Sequence, residues 1–155
     1  NRYYFLTGYN YNIQMEDDQA GIMCTGYRVI DRKLYYFDKD GGCCGVCGPK
    51  NGWYDVNGTR YYMIEGKVAS GMLNINGVDY AFARDGKMYA NEIVSTDIIN
   101  KICYANADGA IVTTRGWHLT SYGYIFVQQG GALCTGIHTI DGVTYMFGSD
   151  GILMY

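Results

Sequence analysis

The sequence predicts an all-β fold, a solenoid of stacked β-hairpins with a repeat of about 20 residues. Three observations predict it. The 155 residues include 22 Gly, 17 Tyr and one Pro, a mixture that favours tight turns and short ring-bearing strands over long helices. A motif then recurs along the chain. Counting forward from a glycine as column zero, columns five and six hold Asp31-Arg32, Asn57-Gly58, Asn76-Gly77 and Asp141-Gly142, and columns nine to eleven hold YYF, YYM, YAF and YMF, beginning at Tyr35, Tyr61, Tyr80 and Tyr145. Finally, an acid-glycine pair closes each copy, at Asp40-Gly41, Glu65-Gly66, Asp85-Gly86 and Asp150-Gly151.

In chain order the approximate units are 1–25, 26–51, 52–70, 71–90, 91–115, 116–135 and 136–155, a single array over residues 1–155. The first carries RYYF and then GIMCTG, separated by an insertion. The copies starting at Gly26, Gly52, Gly71 and Gly136 are complete. In them a pair such as Asn-Gly or Asp-Gly sits between two alternating runs, the pattern of a two-residue type I′ hairpin whose central residues need positive φ. The unit over 91–115 keeps the triplet spacing in CYANADG but loses its aromatics. The copy from Gly116, GWHLTSYGYIFVQQGG, reads as one residue short before its YIF, which puts Gly123 in column eight. A lone hairpin is marginal in water, and stacked copies bury one another's apolar faces.

A two-residue turn at columns five and six sets column four opposite seven, three opposite eight, two opposite nine and one opposite ten. Side chains alternate, so two faces separate. Columns two, four, seven, nine and eleven collect residues such as Leu73, Ile75, Val78, Tyr80 and Phe82, and this first face is the expected core. Columns one, three, eight and ten form a second face that varies between copies. It holds Tyr27, Val29, Leu34 and Tyr36, then Trp53, Asp55, Arg60 and Tyr62, and falls to Met72, Asn74, Asp79 and Ala81. Two rings side by side among polar neighbours make a platform for sugar faces or quaternary ammonium groups. The candidate ligand-binding residues are Tyr27, Tyr36, Trp53, Asp55, Arg60, Tyr62 and Trp117. The competing roles for these rings are padding between successive hairpins and contact with a protein partner.

Charge and composition exclude other classes. The net charge is −3 and no basic run exceeds Arg32-Lys33, which argues against a nucleic-acid partner. No apolar stretch approaches the roughly 18 residues of a membrane span, so no membrane insertion is expected. The chain opens on Asn1-Arg2 without a signal peptide, as a piece of a longer protein fused to another domain would. Cysteines stand at 24, 43, 44, 47, 103 and 134. Structural thiols or disulfides fit them; Cys44-Gly-Val-Cys47 has a metal-ligand gap, but no second pair follows at zinc spacing. Asp38 and Asp40 hint at calcium, yet the recurring acid-glycine turn accounts for them and the bidentate Glu of a calcium loop is absent. His118 and His138 share one column, a whole unit apart in the stack, and nothing marks an orienting third group for Cys134. No catalytic residue, metal or cofactor is expected.

TGYRVIDRKLYYFDKDGG and NGWYDVNGTRYYMIEGKVASG resemble the cell-wall-binding, or choline-binding, repeats of Gram-positive surface proteins. The same repeat type occurs in glucan-binding regions of glucansucrases and in the C-terminal repeats of large clostridial toxins, and GIMCTGY is similar to a linker between toxin-type repeats. The resemblance implies a noncatalytic, extracellular module with ligands held between neighbouring hairpins. In the choline-binding members the cage uses rings in columns one, eight and ten. Here column one is Tyr27, Trp53 or Trp117 in three copies, while column eight reads Leu34, Arg60, Asp79, Gly123 and Thr144. A cage lacking one wall disfavours choline and favours a cell-wall polymer or extracellular polysaccharide. The alternatives are a structural spacer or adhesin stalk and a toxin-like set of repeats directed at host glycans.

Overall fold

The computed structural model describes residues 24–95 and 101–155. The expectations for RYYF and for the insertion before Cys24 lie outside the described residues. Every regular element among the described residues is a strand. The described residues form two compact units: residues 24–70 with 82–88, and residues 71–81 with 89–95 and 101–155.

The first unit contains β1 (Gly26–Ile30), β2 (Lys33–Phe37), β3 (Cys43–Val46), β4 (Gly52–Val56), β5 (Thr59–Ile64) and β6 (Lys67–Val68), paired as two three-stranded sheets, β1-β2-β3 and β4-β5-β6. The second contains β7 (Gly71–Ile75), β8 (Val78–Phe82, its last residue counted with the first unit), β9 (Glu92–Val94), β10 (Cys103–Ala105), β11 (Gly116–Thr120), β12 (Gly123–Val127), β13 (Gly136–Ile140) and β14 (Val143–Phe147), in two-stranded sheets.

The turn chemistry sets the register. Asn57 and Gly58 take φ of 49° and 71°, and Asp141 and Gly142 take 51° and 84°, the doubly positive geometry of a type I′ turn. Arg32 adopts φ 61° in the same role after Asp31 at 49°. In hairpins β1–β2, β4–β5 and β13–β14, column zero then faces eleven and column one faces ten, as in Gly52↔Met63 and Trp53↔Tyr62. The all-β hairpin-repeat fold is as expected.

The copy from Gly116 is a correction. Neither Ser121 nor Tyr122 has a positive φ. The turn is closed instead by the Thr120 hydroxyl, which accepts from the Tyr122 N–H at 3.1 Å and donates to the Gly123 carbonyl at 2.8 Å. It remains a two-residue turn, with Thr120 opposite Gly123 and Gly116 opposite Val127. No residue is missing. The triplet is Ile125-Phe126-Val127 rather than YIF, Gly123 moves to column seven, and Tyr124 occupies column eight.

A second correction concerns the faces. Column eleven is buried at Phe37, Met63, Phe82, Val127 and Phe147, whereas column seven beside the turn is not, Val78 being 37% and Val143 52% exposed, so the first face is core at its column-eleven end and open near the turn. The second face, however, is not left uniformly outside. In the first unit Leu34, with Tyr27 and Val29 beside it, joins Tyr54, Val56, Tyr61 and Met63 in one apolar cluster. In the second unit Phe126 packs with Ile140, Tyr145 and Phe147. The second face of one hairpin is thus covered by the first face of the next. Each such side chain, fully buried, contributes about 1.5–3 kcal/mol.

Backbone bonds hold these layers in place. The Arg60 carbonyl accepts from the Met88 N–H at 2.9 Å, Asp79 from Ile111 at 2.8 Å, and Tyr124 from Leu153 at 2.8 Å. All three acceptors are column-eight residues, which independently supports the corrected place of Tyr124. The return turns are tightened by side-chain caps: Asp38 Oδ1 accepts from the N–H groups of Asp40 and Gly42 at 3.0 and 2.7 Å, and Asn106 Oδ1 does the same for Asp108 and Ala110. Those bonds explain Asp38 without calcium. One glycine is obligatory for packing: a Cβ on Gly86, at φ 85°, would lie 2.5 Å from Val68 Cβ.

Candidate ring-lined binding site

Three clusters gather the candidate residues. Tyr27 and Tyr36 are cross-strand partners with ring centroids 5.0 Å apart, tilted by 50°. Tyr36 is exposed, while Tyr27 is half-buried against the next hairpin.

The second cluster unites four predicted residues on one face of β4–β5. Trp53 and Tyr62 meet edge to face at 5.0 Å, and Asp55 and Arg60 are the neighbouring cross-strand pair. The Arg60 Nε–H donates to Asp55 Oδ1 at 2.9 Å, and its guanidinium carbon lies 4.7 Å from the Trp53 ring centroid. Trp53 also approaches Phe82 at 6.1 Å. Asp55 and Arg60 therefore bond each other, and both side chains remain exposed.

Trp117 forms the third cluster, in the other unit. Phe126, its cross-strand partner, lies 5.1 Å away, and the next hairpin brings Tyr145 to 4.9 Å and Phe147 to 5.8 Å. Trp117 is still 38% exposed. Tyr124, 52% exposed, shares its face one pair further along, a diagonal spacing of roughly 7–8 Å. Arg115 lies over Phe126 at 4.9 Å. Tyr124, Phe126, Tyr145 and Phe147 were not among the predicted site residues. The gap assumed in this copy hid the first two, and the last two come from the following hairpin's core face.

The remaining chemistry-bearing groups are structural. All six cysteines are free thiols. Burial pushes the thiols of Cys24, Cys47, Cys103 and Cys134 above the ordinary value, and for Cys134 nearby Arg115 only partly offsets it. The His138 Nε2 bonds the Thr135 carbonyl at 3.0 Å. Burial likewise raises the phenols of Tyr54 and Tyr61, with smaller contributions from Tyr27 and Cys47 for Tyr54 and from Asp85 for Tyr61. Among the described residues no group of three or more His, Cys, Asp or Glu side chains is placed to hold a metal ion.

Known proteins share this fold. Choline binding protein F from Streptococcus pneumoniae, in a crystal structure obtained in the presence of a peptidoglycan analogue (a tetrasaccharide-pentapeptide), is 26% identical with a TM-score of 0.54, over 97% of this chain and 48% of that one. The resemblance to choline-binding repeats holds. CbpJ from Streptococcus pneumoniae TIGR4, at 25% identity and a TM-score of 0.56, covers 97% of this chain and 48% of its own. Glucosyltransferase-S of Streptococcus mutans is 29% identical over 154 residues, a match to 86% of this chain. The chain spans only 10% of that protein's length. No protein-family model matches the chain. With the corrected register the copy from Gly116 has a ring in columns one, eight and ten: Trp117, Tyr124 and Phe126.

Proposed function

We propose that this chain is a noncatalytic binding module for cell-wall polymer or extracellular polysaccharide, working outside the cell at a bacterial surface and fused to another domain of its parent protein. The observation that carries this reading is Trp117, hemmed by rings at 4.9, 5.1 and 5.8 Å yet 38% exposed. An indole that served packing alone would be covered by the next hairpin, as Phe126 is. A rigid, half-open ring set presents a flat apolar face at little conformational cost, which suits the faces of pyranose rings. The relatives support it: one was crystallised in the presence of a peptidoglycan analogue, and another is a glucosyltransferase of which this chain matches a small part. The noncatalytic reading is supported by Cys134, a buried thiol raised by desolvation. A reactive thiol needs the opposite, an accessible sulfur with a lowered value.

One observation favours a second ligand. Tyr124 supplies the column-eight wall whose absence disfavoured choline, so the Trp117 cluster also suits a quaternary ammonium. Calorimetry against soluble peptidoglycan fragments, an α-glucan oligosaccharide and choline chloride tests both. Binding of at least one, lost in Trp117→Ala, is the expected result. Binding of none would favour a structural stalk, and undiminished binding by Trp117→Ala would remove the ring platform from consideration.

A further inference from the structure

We infer that Arg60 closes the Trp53 platform from within, so that the chain's two tryptophan clusters are unequal and only the one whose indole carries no guanidinium is open to a ligand. This rests on the ring-platform reading above. The two clusters share their layout: a tryptophan in column one, a ring in column ten and a further ring at 5.8–6.1 Å, Phe147 for Trp117 and Phe82 for Trp53. They differ in column eight, which holds Arg60 in one and Tyr124 in the other.

The guanidinium of Arg60 already occupies the position a bound cation would take, 4.7 Å from the Trp53 ring centroid, inside the roughly 6 Å range of a cation–π contact. Asp55, directly across the strand pair, holds it there by accepting its Nε–H at 2.9 Å, and the main chain beneath is fixed by the Met88 N–H, which donates to the Arg60 carbonyl at 2.9 Å. A guanidinium stays charged at any physiological pH and is weakly hydrated, so stacking on indole costs it little. A quaternary ammonium arriving at Trp53 must displace the guanidinium and meets its positive charge nearby, and a sugar face must displace it as well. Among the described residues no guanidinium covers Trp117; Arg115 lies instead over Phe126.

Single-indole variants of the full chain test this by fluorescence titration with choline chloride. In Trp117→Phe the signal comes from Trp53, and in Trp53→Phe from Trp117. The expected result is saturation in Trp53→Phe at a concentration that leaves Trp117→Phe unmoved. Adding Arg60→Ala to Trp117→Phe should then strengthen the Trp53 response by about 2- to 30-fold, the range spanned by one cation–π contact. Unchanged circular dichroism and increased acrylamide quenching of Trp53 would show that the fold survives and the cap has left. The inference is overturned if Arg60→Ala leaves the Trp53 response no stronger, or if Trp117→Phe saturates as readily as Trp53→Phe with Arg60 intact. A silent Trp53→Phe protein would count against Trp117 as a choline site, while the Arg60→Ala comparison would still decide the cap.

Discussion

Hairpins β4–β5 and β11–β12 each carry a tryptophan in column one and surround it differently. Trp53 lies among Tyr62, Phe82 and its own guanidinium. Trp117 lies among three rings and keeps more than a third of its surface open. The tryptophan by itself therefore does not define a site. On the proposed reading, what would define it is column eight on the same hairpin, together with the first-face rings of the hairpin that follows. The repeat holds one backbone register fixed while column eight changes from Arg60 to Tyr124.

The largest test of this view concerns stability. Leu34 and Leu119 both sit on second faces, but Leu34 is fully buried under the next hairpin and Leu119 is 69% exposed. Leu34→Ala should cost about 2–5 kcal/mol, as for other large-to-small core changes, whereas Leu119→Ala should stay within about 0.5 kcal/mol. Denaturant titration of the two variants reads the difference. Similar values for both would mean that second faces are not covered in the way described.

The next test separates the two tryptophans. Trp117→Ala should weaken ligand binding about tenfold or more, the scale of losing a central aromatic contact. Trp53→Ala should leave it within about twofold, because Arg60 already covers that ring. Calorimetry with whichever ligand the wild-type chain binds gives both numbers. Equal losses would make the clusters equivalent.

These contrasts show how far the sequence could be read. The turn pairs at columns five and six were enough to place Trp53 against Tyr62 and Asp55 against Arg60, because a two-residue turn leaves a strand pair only one register. The copy from Gly116 escaped because its turn has no Asn-Gly or Asp-Gly. The Thr120 hydroxyl does the work through side-chain bonds that a search for positive-φ residues does not see. The roles of Leu34 and Phe126 were hidden for another reason. Alternation tells which residues share a face, but not which element covers that face or how much of it, and in a stack the next hairpin covers part of the second face. Arg60 over Trp53 was equally out of reach, since a diagonal cross-strand contact depends on rotamer rather than on register.

A smaller effect sharpens the Trp117 side. Tyr124 is 52% exposed and its carbonyl, not its ring, bonds the next hairpin. Tyr124→Ala should weaken choline binding about 2- to 10-fold, consistent with one wall of a cation–π cage, with little change in the denaturation midpoint. Arg60→Tyr is the reciprocal change, which would give the Trp53 cluster the column-eight ring of the other.

The smallest effect near neutral pH is also the one whose sign is most firmly set by burial. Cys24 and Cys47 in the first unit, and Cys103 and Cys134 in the second, are thiols held above the ordinary value of 9.0, chiefly by desolvation. A folded-state value above the unfolded one means that the native chain holds these protons more tightly. Their contribution to stability is then complete below pH 9.0 and is lost as pH rises through the folded values. The denaturation midpoint should hold between pH 7 and 8 and fall by pH 10, and Cys103→Ala should shrink that fall in the second unit. The raised phenols of Tyr54 and Tyr61 act with the same sign from 10.0 upward and belong to the first unit. Above pH 10 the first unit should therefore lose stability through tyrosines as well as thiols, and Tyr61→Phe should remove part of that loss there without altering the response below pH 9. A midpoint that rose with pH across this window would mean that the thiols are better solvated in the native chain than their burial requires.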